Sequence, residues 1–135
     1  MASFIDSNVL IYAEASDEPK KQAVALALLR RLKLAGTGVI STQALQEFAN
    51  VALRKMGLGA NHVRKQLSAH EQFEVVQVTP EIIRGALDIH QTRSVSFYDA
   101  LIVQAAITAG CDTLYSEDLN TGEVIDGVKI NNPFV

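Results

Sequence analysis

The stretch FIDSNVLIY, residues 4–12, has the apolar character of a short buried strand but carries an aspartate, Asp6, in its interior. An unpaired buried carboxylate costs several kcal/mol, so Asp6 needs a partner, a proton or a metal ion. A structural alternative is that Asp6 or Ser7 caps a helix that runs from Asn8 onward. The rest of the sequence must supply the partner if the first interpretation holds.

Length, composition and net charge limit the classes of protein to which this chain could belong. The chain has 135 residues, of which 48% are hydrophobic, and this is enough for one domain with a sizeable core. Its net charge of −3 argues against a simple basic nucleic-acid-binding module, but not against a nuclease whose acidic pocket binds cations.

The single cysteine, Cys111, excludes a disulfide framework. No basic leader precedes a long apolar segment, and the run Ala23–Leu29 is far shorter than the roughly 20 residues that span a bilayer, so we expect a soluble cytoplasmic protein without membrane contact.

Short apolar runs alternate with helical patterns along the chain. The runs that fit buried strands lie at Ser3–Asp6, Gly38–Ile40, Glu74–Val78, Thr113–Tyr115 and Val128–Ile130. Helices are predicted from Asp17 to Leu34, from Ser41 to Lys55, from Asn61 to Phe73, from Thr79 to His90 and from Ser96 to Ala109. This alternation predicts an α/β fold with a central, mainly parallel sheet of about five strands, whose working crevice lies beyond the carboxyl ends of the strands.

Four acids follow apolar strands or lie on the helices beside them. Asp6 ends the first strand, and Asp118 follows the fourth strand in Ser116-Glu117-Asp118. Glu47 lies on the helix that begins at Ser41, and Asp99 lies in the first turn of SFYDALIV, residues 96–103. Each acid also has a structural explanation: Asp99 completes a capping box with its helix start, Glu47 is an exposed helix residue, and Asp118 begins a turn.

Convergence of these acids would have a chemical consequence. Carboxylates ~4 Å apart repel by about 4 kcal/mol per pair at an effective dielectric constant near 20. A divalent cation removes that penalty, and hard oxygen ligands select Mg²⁺ or Mn²⁺ over zinc. Such a site suits hydrolysis of phosphodiester bonds. The sequence therefore predicts that Asp6 finds its partner in a cation shared with distant acids.

Taken together, four segments resemble the PIN-domain ribonucleases, the family of the VapC toxins of toxin–antitoxin pairs. They are FIDSNVLIY, STQALQEF, SFYDALIV and LYSEDLNTG, in the family's order and at its typical intervals. The resemblance implies a three-layer α/β/α sandwich formed by residues 1–135 as a single PIN domain. It also implies Mg²⁺- or Mn²⁺-dependent cleavage of RNA, with transfer RNA as one family substrate.

The resemblance also assigns roles to residues. The catalytic and metal-binding acids would be Asp6, Glu47, Asp99 and Asp118. Asn8 and Ser116 would orient the carboxylates, and the additional acid Glu117 would share or substitute for the role of Asp118. The aromatic residues Phe97 and Tyr98 could stack on a nucleobase, but aromatic residues at the start of an apolar helix more often lie in the core, and this is the prediction for both.

The resemblance further implies a homodimer and an antitoxin that inhibits the enzyme. Two alternatives remain open: a PIN fold that serves as a protein-interaction module without nuclease activity, and a PIN ribonuclease outside any toxin–antitoxin pair. Metal binding at the four acids separates the first alternative from an enzyme, and an antitoxin gene beside this one would argue against the second.

Overall fold

The computed structural model describes residues 1–135 and contains one six-stranded sheet. The strands are β1 (Ser3–Ile5), β2 (Gly38–Ser41), β3 (Glu74–Val76), β4 (Thr113–Tyr115), β5 (Val124–Ile125) and β6 (Val128–Asn131). The helices are α1 (Ser7–Tyr12), α2 (Pro19–Ala35), α3 (Thr42–Arg54), α4 (Ala60–His70), α5 (Pro80–Arg93) and α6 (Phe97–Thr108). None of these helices has both the length and the apolar character needed to cross a membrane.

The strand order β3-β2-β1-β4-β6-β5 places β1 at the centre of the sheet. All neighbouring strands are parallel except β5 and β6. From β1 the chain first adds β2 and β3 on one side and then β4 and β6 on the other, so the strand order reverses between β1 and β4. In open parallel sheets this reversal opens a crevice at the carboxyl ends of the strands, which is where ligands bind. Asp6 and the segment 116–118 both lie at that crevice, because they directly follow β1 and β4.

Helices cover both faces of the sheet. Phe4 and Val39 belong to a hydrophobic cluster with α5 and α6, whereas their neighbours Ile5 and Ile40 belong to a second cluster with α1 to α4. This split follows from the two-residue period of a strand, which points successive side chains to opposite faces. The arrangement confirms the predicted α/β/α sandwich with a mainly parallel sheet.

The sixth strand was not predicted. Val124–Ile125 pairs antiparallel with β6 through a tight turn at Asp126 and Gly127, whose φ angles are 48° and 86°. A two-residue turn with positive φ at both positions is the form that suits a β-hairpin, and Asp-Gly is one of its preferred sequences. This hairpin adds a short edge strand to the five that were predicted.

Helix starts agree closely with the predicted capping residues. The hydroxyl of Ser41 accepts a 3.1 Å hydrogen bond from the amide of Ala44, and the hydroxyl of Ser96 accepts a 3.2 Å hydrogen bond from the amide of Asp99. Two expectations were wrong. The helix predicted to reach Phe73 ends at His70, and Phe73 is instead a buried residue just before β3. Tyr98 is 65% exposed and does not lie in the core, whereas Phe97 is partly buried and packs against the core.

Candidate active site

Asp6 combines the two roles that the sequence left open. It is the N-cap of α1, where its Oδ1 accepts a 2.7 Å hydrogen bond from the amide of Ser7. Its other oxygen, Oδ2, accepts a 2.7 Å hydrogen bond from the hydroxyl of Ser116, a residue that is fully buried after β4. Only 2% of Asp6 is exposed. The cap therefore uses one carboxylate oxygen, while the other faces the crevice between β1 and β4.

The environment of Asp6 opposes its ionisation. Burial raises its pKa to about 7; the hydrogen bonds from Ser116 and Ser7 lower the pKa, while the negative charges of Asp118 and Glu47 raise it. None of the three ion pairs in the structure includes Asp6. Its hydrogen-bond donors are neutral amides and hydroxyls. Asp6 is thus a desolvated carboxyl group without a cationic side chain beside it.

Asn8 links Asp6 to Asp118. Its Nδ2 lies 3.2 Å from Oδ2 of Asp118 and 3.5 Å from Oδ2 of Asp6, and its Oδ1 accepts a 3.3 Å hydrogen bond from the amide of Glu117. The hydroxyl of Ser116 also accepts a 3.1 Å hydrogen bond from the amide of Asp118. These contacts fix the loop after β4 against the start of α1, and they bring two of the four predicted acids to one shared amide.

Asp99 lies at the half-buried start of α6. Burial raises its pKa; a hydrogen bond with Ser96 lowers the pKa, and the charge of Asp118 raises it. Asp99 is therefore within electrostatic reach of Asp118. Asp99 thus takes part in the helix cap through its backbone amide, while its carboxyl group lies near the charge of Asp118.

Glu47 on α3 lies close enough to Asp6 for its negative charge to contribute to the raised pKa of Asp6. Gln43, one turn earlier on α3, is 6% exposed and holds this region together. Its Nε2 lies 3.4 Å from Oε2 of Glu47 and 3.1 Å from the carbonyl oxygen of Tyr98. Sequence reasoning missed Gln43, although its spacing of four residues from Glu47 on a helix was a usable signal.

Glu117 has a different environment from its neighbour Asp118. Its Oε1 lies 2.6 Å from Nζ of Lys21, a residue in the first turn of α2. Burial opposes the ionisation of Glu117, but hydrogen bonds from Lys21 and Tyr12 outweigh this effect and lower its pKa. Sequence reasoning also missed Lys21, because nothing local connects two residues that are 96 positions apart.

The oxygen atoms at this edge of the sheet are of the types that bind a hard divalent cation. Carboxylate, amide and hydroxyl oxygens are the ligands that Mg²⁺ and Mn²⁺ prefer, and no thiol or imidazole contacts the four acids. The acids are not gathered into a closed cage, since no group of three His, Cys, Asp or Glu side chains is close enough to hold a metal ion. The structure instead brings Asp6 and Asp118 to Asn8, and it places Glu47 and Asp99 within electrostatic reach of one of these aspartates each.

Comparisons with known proteins agree with this architecture. The family model of the PIN domain matches residues 3–124. Solved structures with a similar fold include a toxin–antitoxin complex from Klebsiella pneumoniae, with 18% identity, a TM-score of 0.71 and 98% coverage of both chains. VapC20 of Mycobacterium tuberculosis, a sarcin-ricin loop cleaving toxin, has 17% identity and a TM-score of 0.69 over 87% of this chain and 90% of that chain. VapBC2 from Rickettsia felis, bound to a DNA fragment from its promoter, has 16% identity and a TM-score of 0.69 over 98% of both chains.

At these identities the solved structures show the fold alone. A comparison with curated proteins finds no match. The family model is the stronger result, because it extends from β1 to the start of β5 and includes all four strand-end and helix acids. This chain belongs to the PIN domain family.

Proposed function

We propose that this protein is a divalent-metal-dependent endoribonuclease and the toxin of a toxin–antitoxin pair. The observation that carries the proposal is Asp6, a 2% exposed carboxyl group that has no cationic side chain beside it and that shares the amide of Asn8 with Asp118. Membership of the PIN domain family supports a nuclease. Structural similarity to VapC20 and to toxin–antitoxin complexes supports the toxin role.

Each acid has a place in this mechanism. Asp6, Asp118, Asp99 and Glu47 would hold Mg²⁺ or Mn²⁺ at the carboxyl edge of the sheet. When bound, the metal supplies an activated water and charge stabilisation for an in-line displacement at phosphorus. Asn8 and Ser116 orient the carboxylates of Asp6 and Asp118 through the hydrogen bonds described above.

The buried position of Asp6 supports a role for a bound cation. The ionised form of Asp6 is unfavourable in the metal-free protein, because burial and the charges of Asp118 and Glu47 raise its pKa to about 7. A bound divalent cation favours the carboxylate form and would lower this pKa. The same edge of the sheet would therefore bind metal in competition with protons.

Cleavage of RNA by the purified protein tests the nuclease. We expect cleavage in Mn²⁺ or Mg²⁺, none in excess chelator, and a loss of at least about 100-fold for Asp6→Asn, because loss of a ligand removes metal-assisted catalysis. Asp88→Asn is the matched control, since Asp88 is an exposed aspartate on α5. Full activity of Asp6→Asn would contradict the mechanism. Failure of the wild-type protein to bind Mn²⁺ would favour a protein-interaction module.

Expression of the chain alone tests the toxin role. We expect growth arrest with the wild-type chain and normal growth with Asp6→Asn at the same protein level. The partner would be a protein antitoxin that neutralises the acidic site, and the toxin would act as a homodimer in the cytoplasm. Normal growth in several hosts, together with RNA cleavage in vitro, would favour a PIN ribonuclease outside any toxin–antitoxin pair.

A further inference from the structure

We propose that Lys21 and Glu117 form a clamp that positions the Ser116–Asp118 loop, and that Glu117 is a positioning residue and not a metal ligand. The catalytic consequence of the clamp rests on the proposed nuclease function, whereas the positioning itself does not. Tyr12 and Phe134, which both contact Lys21, complete the clamp.

Several contacts hold the side chain of Lys21. Its Nζ lies 2.6 Å from Oε1 of Glu117 and 3.1 Å from the hydroxyl of Tyr12. The same ammonium group lies 4.6 Å from the ring centroid of Tyr12 and 5.9 Å from that of Phe134. The two rings contact each other edge to face, with centroids 4.8 Å apart. A charged hydrogen bond and two cation–π contacts therefore hold one lysine in place.

The side chains of the Ser116–Asp118 loop alternate between two sides. Ser116 is fully buried and donates to Asp6, and Asp118 accepts from Asn8. Glu117, between them, extends to Lys21 on the other side of the loop. Its backbone amide nevertheless donates to Oδ1 of Asn8 at 3.3 Å. A shift of Glu117 would consequently move the amide group that joins Asp6 to Asp118.

The clamp connects several elements of the fold. Lys21 lies in the first turn of α2, and Tyr12 is the last residue of α1. Phe134 lies in the tail after β6, whose last residue, Asn131, accepts a 3.1 Å hydrogen bond from the amide of Ser116. The clamp thus fastens the loop after β4 to α1, to α2 and to the segment after β6.

The charges argue against Glu117 as a metal ligand. Its carboxylate already has a cation at 2.6 Å, so a metal ion would have to displace the ammonium group of Lys21. Asp118 contacts the amide of Asn8 and takes part in no ion pair. Asp118 is therefore free to bind a metal, whereas Glu117 is held by its partner.

The test uses Lys21→Met and Glu117→Gln, which break the clamp from either side. The matched controls are Lys20→Met and Glu18→Gln, which remove like charges from exposed neighbours of Lys21. The readout that is independent of activity is the side-chain amide resonance of Asn8 in ¹⁵N-labelled metal-free protein, assigned with an Asn8→Ala variant. We expect both clamp variants to move this resonance in the same direction, while the controls leave it in place.

The second readout is the Mn²⁺ concentration that gives half-maximal RNA cleavage. We expect each clamp variant to raise it about tenfold, which is typical when a residue that orients a metal ligand is lost, with kcat at saturating Mn²⁺ within about twofold of wild type. Asp118→Asn should instead reduce kcat. The exchanged pair, Lys21→Glu with Glu117→Lys, should restore much of the Mn²⁺ response that each single charge reversal destroys.

Distinct results overturn each proposal. An unchanged Asn8 resonance in both clamp variants overturns the clamp. A loss of kcat in Glu117→Gln as large as in Asp118→Asn, with no effect of Lys21→Met, would make Glu117 a ligand. If the wild-type protein cleaves no RNA but the clamp variants still move the Asn8 resonance, the clamp is supported and the proposed nuclease function is contradicted.

Discussion

The hydroxyl of Ser116 donates a 2.7 Å hydrogen bond to Oδ2 of Asp6, and the two residues are 110 positions apart in the chain. This bond crosses from the end of β4 to the end of β1, which are adjacent parallel strands. It is the largest of the interactions that lower the pKa of Asp6 against the effect of burial. Ser116 therefore favours the ionised form of the buried carboxylate.

Replacement of Ser116 by alanine should raise the pKa of Asp6 further and weaken Mn²⁺ binding. The variant loses the hydroxyl that donates to Asp6 and also the acceptor for the amide of Asp118. We expect Mn²⁺ affinity, measured by calorimetry at neutral pH, to fall about 10-fold, as is typical for residues that orient metal ligands. Ser68→Ala, at an exposed position of α4, is the control and should bind as wild type does. Equal affinities for the two variants would contradict this role.

The stability of the metal-free protein should fall as pH rises from about 4 to about 7, because of Asp6. The folded-state pKa of about 7 lies above the ordinary value of 3.8, so the folded protein retains a proton that the unfolded chain has released. Stabilisation is thus complete below the unfolded pKa and is lost as pH rises through the folded one. The pKa shift of Asp6 corresponds to a decrease in the free energy of unfolding on the order of 4 kcal/mol between the two ends of this pH range.

Asp6→Asn isolates this contribution from that of other groups. The pKa of Asp99 is also raised, whereas that of His70 is lowered by burial, so the two act in opposite directions on the pH dependence of stability. As pH rises from about 4 to about 7, the unfolding free energy of wild type should fall relative to that of Asp6→Asn. Urea denaturation at a series of pH values measures it. A difference that stays constant across that range would show that Asp6 titrates normally.

Local signals in the sequence were sufficient for much of the site. Asp6 was recognisable because it ends an apolar strand, and Ser41 and Ser96 because they precede helical patterns. These features depend on residues within a few positions of each other. The parallel direction of the strands was also predicted, but the strand order that places β4 beside β1, and thereby Asp118 beside Asn8, was not.

Other features could not be predicted, because they depend on tertiary packing. The exposure of Tyr98 is one example: α6 buries consecutive residues from Ala100 to Val103, so its sequence has no helical period to mark a solvent face. The pairing of Lys21 with Glu117 is another, since it requires α2 to begin beside the loop after β4. β5 was missed for a different reason: Asp126-Gly127 is a local hairpin signal, but a strand of two residues is too short for an alternating pattern.

Replacement of Gln43 by alanine should destabilise the protein and impair the site. Its Nε2 is shared by Glu47 and the carbonyl oxygen of Tyr98, so its loss releases α3 from the start of α6, where Asp99 lies. We expect a loss of about 0.5–1.5 kcal/mol in thermal or urea unfolding, as is typical when a part-buried hydrogen bond is removed. Gln46→Ala, an exposed position on the same helix, should change stability by less than about 0.5 kcal/mol. Similar losses for both variants would indicate that Gln43 has no special role.

Mn²⁺ should stabilise the wild-type protein in a pH-dependent way. A ligand that binds only the folded state raises its stability by RT ln(1 + [L]/Kd), and metal binding to Asp6 requires the carboxylate form. Because the pKa of Asp6 is about 7 in the folded protein, protons compete with the metal well above the ordinary range of an aspartate. The melting temperature should therefore rise with Mn²⁺ at about pH 8 and much less at about pH 5.5.

Two comparisons make this result specific to the acidic site. Asp6→Asn should show little Mn²⁺ stabilisation at either pH, because it lacks the titrating ligand. Ca²⁺ should stabilise the wild-type protein less than Mn²⁺ does, since it prefers more ligands and longer bonds than a few carboxylates at one edge of a sheet provide. An equal rise in melting temperature for wild type and Asp6→Asn would place the bound Mn²⁺ elsewhere on the protein and would contradict the role of Asp6 as a metal ligand.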